Sequence, residues 1–172
     1  PWSPTADYTK LVLGEAFSRI GINFSLDIKN RGYYPKGGGL IEAEIFPCKN
    51  TKAISLLRRT TKSAKMLCSY HGIPKDVVQQ EADVARKALE ENGFRVDHFI
   101  REENALDKGC SILAFSHDDT SVVGSDIIYQ KNMAGIGKTV TSKFIESNLG
   151  VDSSLSDMLV VPLSLISDTS VF

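Results

Sequence analysis

The stretch INFSLDIKNRGYYPKGGGLIEAEI, residues 22–45, decides the reading of the chain. Ile22, Phe24, Leu26 and Ile28 alternate with Asn23, Ser25, Asp27 and Lys29; after an interruption, Ile41, Ala43 and Ile45 alternate with Glu42 and Glu44. A period of two sends successive side chains to opposite faces, so both runs predict strands with one buried face. Between them, Arg31-Gly32-Tyr33-Tyr34-Pro35-Lys36-Gly37-Gly38-Gly39 carries the glycines and proline of a chain reversal, which makes the pair a hairpin. Three successive glycines permit positive φ and close backbone approach, while Arg31 and Lys36 set two cations beside amides that no side chain shields. Such a loop is either a phosphate holder or a bulged hairpin with solvated cations.

Upstream, Ser3-Pro4 followed by Asp7 reads as a helix start: serine caps free amides, proline fits the first turn and the acid favours the positive end of the dipole. Tyr8, Val12, Ala16 and Ile20 form an apolar stripe with Leu13 and Phe17 beside it, and Gly21 stops it, predicting a helix over 4–20. Downstream, the polar stretch Pro47 to Thr51 marks a domain boundary. Beyond it, strands are expected near Ala53–Leu57 and Lys65–Tyr70, then a helix from Pro74 to Asn92 with Val78, Ala82, Ala85 and Leu89 on one face and Gly93 as its stop. Phe94–Ile100, Cys110–Ser116 and Thr120–Ile127 read as strands, Asp118-Asp119 as a turn, and Val140–Leu149 as a helix. The order ββαβββα predicts an α/β fold in which a small sheet packs against two helices.

The 172 residues are enough for a real core, with 42% hydrophobic and 24% charged residues. Twenty Lys and Arg stand against 21 Asp and Glu, so no broad positive field surrounds the molecule and any nucleic-acid contact has to be local. Cys48, Cys68 and Cys110 are too widely spaced for a zinc knuckle and odd in number, which predicts reduced core thiols in an intracellular protein, cytoplasmic or, in a eukaryote, nuclear. No apolar run approaches the ~20 residues of a membrane span, so no membrane partner is expected. The chain opens on Pro1 rather than methionine, which predicts a natural start further upstream.

RGYYPKGGG resembles the signature of the RNA 3'-terminal phosphate cyclase family, RG-aromatic-x-P-x-GGG between two strands. Ser3-Pro4-Thr5-Ala6-Asp7-Tyr8 is similar to that family's S/A-P-P-x-D-Y/F helix start, and Leu155 to Leu163 is similar to its Y-L-x-D-Q-L-V/I-x-P/F-M-A-L segment. The resemblance implies a large domain of repeated units like the C-terminal domain of translation initiation factor 3 over residues 1–50 and 149–172, with a smaller α/β domain inserted over 51–148. It implies an enzyme that uses ATP and a divalent metal, Mg or Mn, to convert an RNA 3'-phosphate to a 2',3'-cyclic phosphate through a histidine–AMP intermediate. Pro4 and Tyr8 match positions that line the family's adenosine pocket, and Asp157 matches a polar contact to the nucleotide. Arg31 and Lys36 are candidates for stabilising the loop or an RNA phosphate. The nucleophilic histidine is expected beyond the Asp157 motif, past Phe172, so none of His71, His98 and His117 is assigned to catalysis.

Three departures accompany the resemblance. Ser154 stands where the family has tyrosine and Met158 where it has glutamine, and Tyr129-Gln130-Lys131-Asn132 replaces a glycine-rich stretch. A thioether cannot supply an amide's hydrogen bonds, so an altered nucleotide pocket is expected, and a non-catalytic branch of the family that acts in ribosome assembly stays open. Asn132-Met133-Ala134-Gly135-Ile136-Gly137-Lys138-Thr139 also ends like a Walker A loop, but Asn132 replaces the first glycine; the alternative is a glycine-containing loop with an exposed lysine at a helix start.

Overall fold

The computed structural model describes residues 3–129 and 133–172. The first helix comprises α1 (Ala6–Tyr8), a π-helical segment (Thr9–Leu13) and α2 (Gly14–Ile20) in unbroken succession. Its cap is Thr5 rather than Ser3: the Thr5 hydroxyl accepts from the Tyr8 amide at 3.2 Å. The predicted stripe Tyr8, Val12, Ala16 and Ile20 is buried, and Gly21, at φ 99°, ends the helix in the left-handed conformation that a side chain would resist.

The hairpin forms as read: β1 (Phe24–Asn30) pairs antiparallel with β2 (Leu40–Ile45), from Phe24 opposite Ile45 to Ile28 opposite Ile41, with an irregularity at Ile28/Asn30. One expectation is corrected. Every residue of β2 is exposed, Ile45 at 77%, because β2 pairs only with β1 and no layer of the described chain lies over its apolar face.

The second sheet comprises β3 (Ser63–His71), β4 (Arg95–Glu102), β5 (Gly109–Asp118) and β6 (Ser121–Ile128) in the order β4-β3-β5-β6. The β3–β4 pair is parallel, which requires a crossover, and α3 (Lys75–Glu91) supplies it; β5 and β6 add antiparallel. The strand expected at Ala53–Leu57 is not part of this sheet. Its alternating Ile54 and Leu56 are buried in a core, and its backbone makes only a short parallel contact with the end of the chain, Leu56 N to Val171 O at 2.8 Å and Val171 N to Ile54 O at 3.0 Å. The alternation therefore reports packing rather than sheet membership.

The helix expected over 140–149 is α4 (Ile136–Glu146). It begins a turn earlier because Glu81 of α3 accepts from the Gly135 and Gly137 amides at 3.1 and 3.0 Å, satisfying donors that a free helix start leaves open. Gly137 lies against α3 so closely that an added Cβ would stand 2.3 Å from the Glu81 carbonyl oxygen. The last helix, α5 (Ser153–Ser164), buries the stripe Leu155, Leu159 and Leu163.

Two cores result, one on each face of the four-stranded sheet, and the protein is an α/β fold of three layers. Met66, Cys68, Ile112, Ala114 and Val123 meet Val78, Ala82, Leu89, Val140 and Phe144 of α3 and α4. Leu113, Phe115 and Val122 point the other way and meet Tyr8, Val12, Ala16, Leu155 and Leu159. Strand β5, apolar on both faces, reads as a continuous run for this reason. The second core joins side chains from 1–50, 51–148 and 149–172, so the sheet within 51–148 has one face covered by helices from outside that segment.

Asp118 fastens residues 60–61 to the β5–β6 turn: its carboxylate accepts from the Thr60, Thr61 and Thr120 amides at 2.8, 2.7 and 2.9 Å and from the Ser121 hydroxyl at 2.9 Å. Burial raises this carboxyl, but the bonds from Thr61, Thr60, Thr120 and Ser121 outweigh it and hold the pKa below the usual carboxylate range.

Candidate active-site junction

The helix start and the glycine loop meet at Asp7, and Asp152, the cap of the third motif's helix, meets Tyr8. From the glycine loop, the Arg31 guanidinium reaches back to Asp7 and forward to Glu103: Nη1 and Nη2 donate to the two Asp7 oxygens, Nε donates to Glu103, and Nη2 also donates to the Ser69 hydroxyl at 3.0 Å. Arg31 and Asp7 are both buried. The planar fork of arginine matches a carboxylate bidentately, which a lysine cannot do. Burial opposes the Arg31 charge, yet the bonds to Asp7 and Glu103 outweigh it and raise the pKa above its ordinary value.

Next along the first helix, the Tyr8 hydroxyl donates to Asp152, which lies just before the third motif, at 2.7 and 2.8 Å. Asp152 also accepts from the Gly124 amide at 2.8 Å and caps α5 through the Ser154 and Leu155 amides, both at 3.0 Å. Burial raises the pKa of Asp152, opposed by its bonds from Gly124, Tyr8, Leu155 and Ser154. Burial, reinforced by the Asp152 charge, pushes the Tyr8 phenol up as well, so it stays a donor at working pH. The ring of Tyr8 lies on Gly124, where an added Cβ would come within 2.8 Å of it.

The loop itself is held from both ends. Its Gly37 and Gly38 take positive φ, as three successive glycines predicted. The Arg31 amide donates to Asn104 O at 2.8 Å, and the Lys36 amide donates to Asp107 at 2.8 Å. Tyr33 is buried over Gly109, which leaves no room for a Cβ, and donates to Ser69 O at 3.2 Å; burial pushes its phenol up to about 12.

A cavity of about 640 Å³ opens beside the Tyr8–Asp152 pair, lined among others by Asp126, Lys143, Asn148, Ser153 and Ser154. Of the residues expected at an adenosine pocket, Tyr8 forms part of this wall. Asp157 does not line it; it is exposed on α5, four residues beyond Ser153 and three beyond Ser154, hence on the same helix face one turn on. Pro4 is half-buried and also outside the lining. Lys36 is exposed, with its ammonium 3.5 Å from Asp107. Arg31 turns its guanidinium to Asp7, Glu103 and Ser69 rather than outward. The family's tyrosine position, Ser154, stands at the cavity, whereas Met158 packs against the second core.

Sequence reasoning missed Asp152 and Glu103, and it missed the partner of Asp7. Asp152 had a signal: an aspartate immediately before a serine pair and the Leu155 stripe is a helix cap in sequence. Asp7 lies in the first helical turn as its sequence position indicates, and it also pairs with Arg31, for which the sequence holds no local signal. Glu103 had no local signal, because it meets Arg31 only through the fold.

The Walker A alternative does not fit. The helix-start amides of Gly135 and Gly137, which a phosphate would need, are bonded to Glu81, and Lys138 is exposed. Residues 130–132, including Asn132 and most of the altered glycine stretch, lie outside the described residues. His71 donates from Nδ1 to Glu103 O at 2.8 Å, His117 lies 3.8 Å from Glu15, and none of the three histidines lines the cavity beside Tyr8. Cys68 and Cys110 are buried, their thiols pushed up to about 12 by burial, whereas Cys48 is exposed, contrary to its expected core position. Among the described residues, no three His, Cys, Asp or Glu side chains gather as a metal set, and no helix is long and apolar enough to cross a membrane.

Fold and junction together define an α/β protein in which a helix start, a glycine-rich hairpin loop and a capped helix near the chain's end are bonded to one another. The model of the RNA 3'-terminal phosphate cyclase family matches residues 1–172, and the chain belongs to that family. It is 30% identical over 168 residues to the RNA 3'-terminal phosphate cyclase of Thermococcus onnurineus, covering 93% of this chain and 49% of that protein. With the RNA 3'-terminal phosphate cyclase of Methanosarcina barkeri it shares 27% identity over 174 residues, 98% of this chain and 51% of that protein. The one from Methanopyrus kandleri is 24% identical over 184 residues, covering 99% and 52%. The chain spans about half the length of the curated relatives it matches.

Proposed function

We propose that this chain is part of an intracellular, ATP-dependent RNA 3'-phosphate cyclase. Residues 1–50 and 149–172 belong, in this reading, to the large repeat-built domain and 51–148 to an inserted one. The supporting observation is the family match across the whole chain, joined to the direct bonding of the first two motif segments through Asp7 and Arg31 and their link to the third through Asp152, which bonds both Tyr8 and the Leu155 amide.

The reaction proposed is a relay of phosphorus bonds. A histidine nitrogen attacks the α-phosphorus of ATP and pyrophosphate leaves; an oxygen of the RNA 3'-phosphate takes the AMP from histidine. The neighbouring 2'-hydroxyl oxygen then attacks the 3'-phosphorus, loses its proton and expels AMP, closing the 2',3'-cyclic phosphate. In this chain, Tyr8 walls the adenosine seat, Asp157 offers an acceptor at its outer end, and Pro4 sets the approach of the chain to the first helix. The clamp of Arg31 holds the loop, so that positioning donors keep their geometry as charge develops. Lys36, exposed on that loop with its ammonium 3.5 Å from Asp107, is the loop's outward cation and would meet an RNA phosphate by exchanging that surface pair. A divalent ion, Mg or Mn, would enter with the ATP phosphates, whose charge it would neutralise.

Because none of His71, His98 and His117 faces the cavity, the nucleophile is a different histidine of the whole protein. Incubation with α-labelled ATP and a divalent metal should label the whole protein on histidine and leave the 172-residue chain unlabelled. Stable labelling of this chain at His71, His98 or His117 would place the active site elsewhere. The second reading, a non-catalytic relative acting in ribosome assembly, rests on Ser154 and Met158 and predicts no label on the whole protein.

A further inference from the structure

A groove of about 630 Å³ runs between the first helix and β1 on one side and the exposed end of the sheet's second face on the other. Its walls carry five cations, Lys10, Lys29, Arg31, Lys65 and Arg101, against three carboxylates, Asp7, Asp27 and Glu103. Those carboxylates are already engaged: Asp7 and Glu103 hold Arg31, and Asp27 holds Lys29 at 2.6 Å. Among the described residues, Lys10, Lys65 and Arg101 make no ion pair, and all three are exposed. A local excess of positive charge thus sits on a chain whose net charge is −1. Between these cations stands Phe99, 52% exposed on the edge strand β4, with Leu67 and Phe115 in the floor.

An apolar pocket alone would not identify an occupant, and neither would a few lysines. An exposed aromatic ring set among unpaired cations is the arrangement that takes a single-stranded nucleic acid, whose bases stack on the ring while its phosphates meet the charges. A duplex keeps its bases stacked on each other, and an acidic peptide uses the cations but has no planar group for Phe99. We propose that the groove is a track for single-stranded RNA, with a base on Phe99 and the backbone along Lys10, Lys65 and Arg101. This deepens the cyclase reading, by giving the substrate strand a path away from its reacting end, and it is tested without the reaction.

The probe is a short fluorescein-labelled oligouridylate with a 3'-hydroxyl end, bound to the protein without ATP and followed by anisotropy over a range of salt. Phe99→Ala should weaken binding about ten-fold, the loss of one stacked base, with the salt dependence unchanged. The Lys10→Ala/Lys65→Ala/Arg101→Ala protein should bind more weakly and lower the slope of log K against log salt by about 2. Phe99→Trp should keep the affinity and lose tryptophan emission on binding. These positions are exposed, and a circular dichroism melt of each variant confirms the fold. Wild-type affinity in Phe99→Ala, or equal competition by duplex RNA or polyglutamate, would overturn the assignment. Histidine labelling by ATP, measured separately, reports on the cyclase reading whichever way the RNA result falls.

Discussion

Arg31→Ala should lower the unfolding free energy by about 3–5 kcal/mol, a drop of roughly 6–20 °C in Tm for a chain of this size. The size follows from burial: Arg31 and Asp7 are 8% and 4% exposed, so removing the guanidinium strands a carboxylate away from water and loosens Glu103 with it. The solvent-screened pair of Arg86 with Glu90 carries no such penalty, because water takes over either partner when the other is removed. Arg31→Lys should recover only part of the loss, because an ammonium lacks the fork that spans both Asp7 oxygens. Urea or thermal denaturation followed by circular dichroism measures both; a loss below about 1 kcal/mol for Arg31→Ala would mean that the clamp is solvated and does not hold the loop.

Asp152→Ala should be comparably severe, about 3–5 kcal/mol, because one carboxylate serves three elements. It caps α5 through two amides, receives the Tyr8 hydroxyl and receives the Gly124 amide of β6, and its loss leaves buried donors without acceptors. Asp152→Asn keeps one acceptor oxygen and should recover about half of that. With Oδ1 kept, the two helix amides and the Tyr8 hydroxyl retain their acceptor and the Gly124 amide loses its own, so Tyr8→Phe should cost about 1–2 kcal/mol in the wild type and a similar amount in the Asn background.

The parts of this fold that were legible in sequence are those set by local period and punctuation. Helix α3 was readable because Val78, Ala82, Ala85 and Leu89 recur at helical spacing and Gly93 follows, and β1, β5 and β6 were readable from alternation or an unbroken apolar run. What failed depended on partners distant in sequence. Ile54 and Leu56 alternate like a strand, yet they are buried in the core with residues of α2, α5 and the sheet, and their backbone bonds to Ser170 and Val171 near the chain's end rather than to a sheet strand. The start of α4 could not be placed because its amides are capped by Glu81, 54 residues away from Gly135. At the site, the three motif segments were recognisable one by one, and Tyr8 and Asp152 show why their joining was not: the bond between them spans 144 residues. Asp152 was readable as a cap but not as the partner of Tyr8, and Glu103 was not readable at all.

We propose that these joined motifs belong to an enzyme that closes RNA ends. The most direct test is to give the whole protein an RNA bearing a labelled 3'-phosphate, with ATP and Mg, and then to treat the product with phosphatase. The account predicts that the label becomes resistant to phosphatase only when ATP is present, and that mild acid, which opens a 2',3'-cyclic phosphate, restores sensitivity. A label that stays fully sensitive after incubation with ATP, in protein shown to be folded, would contradict it.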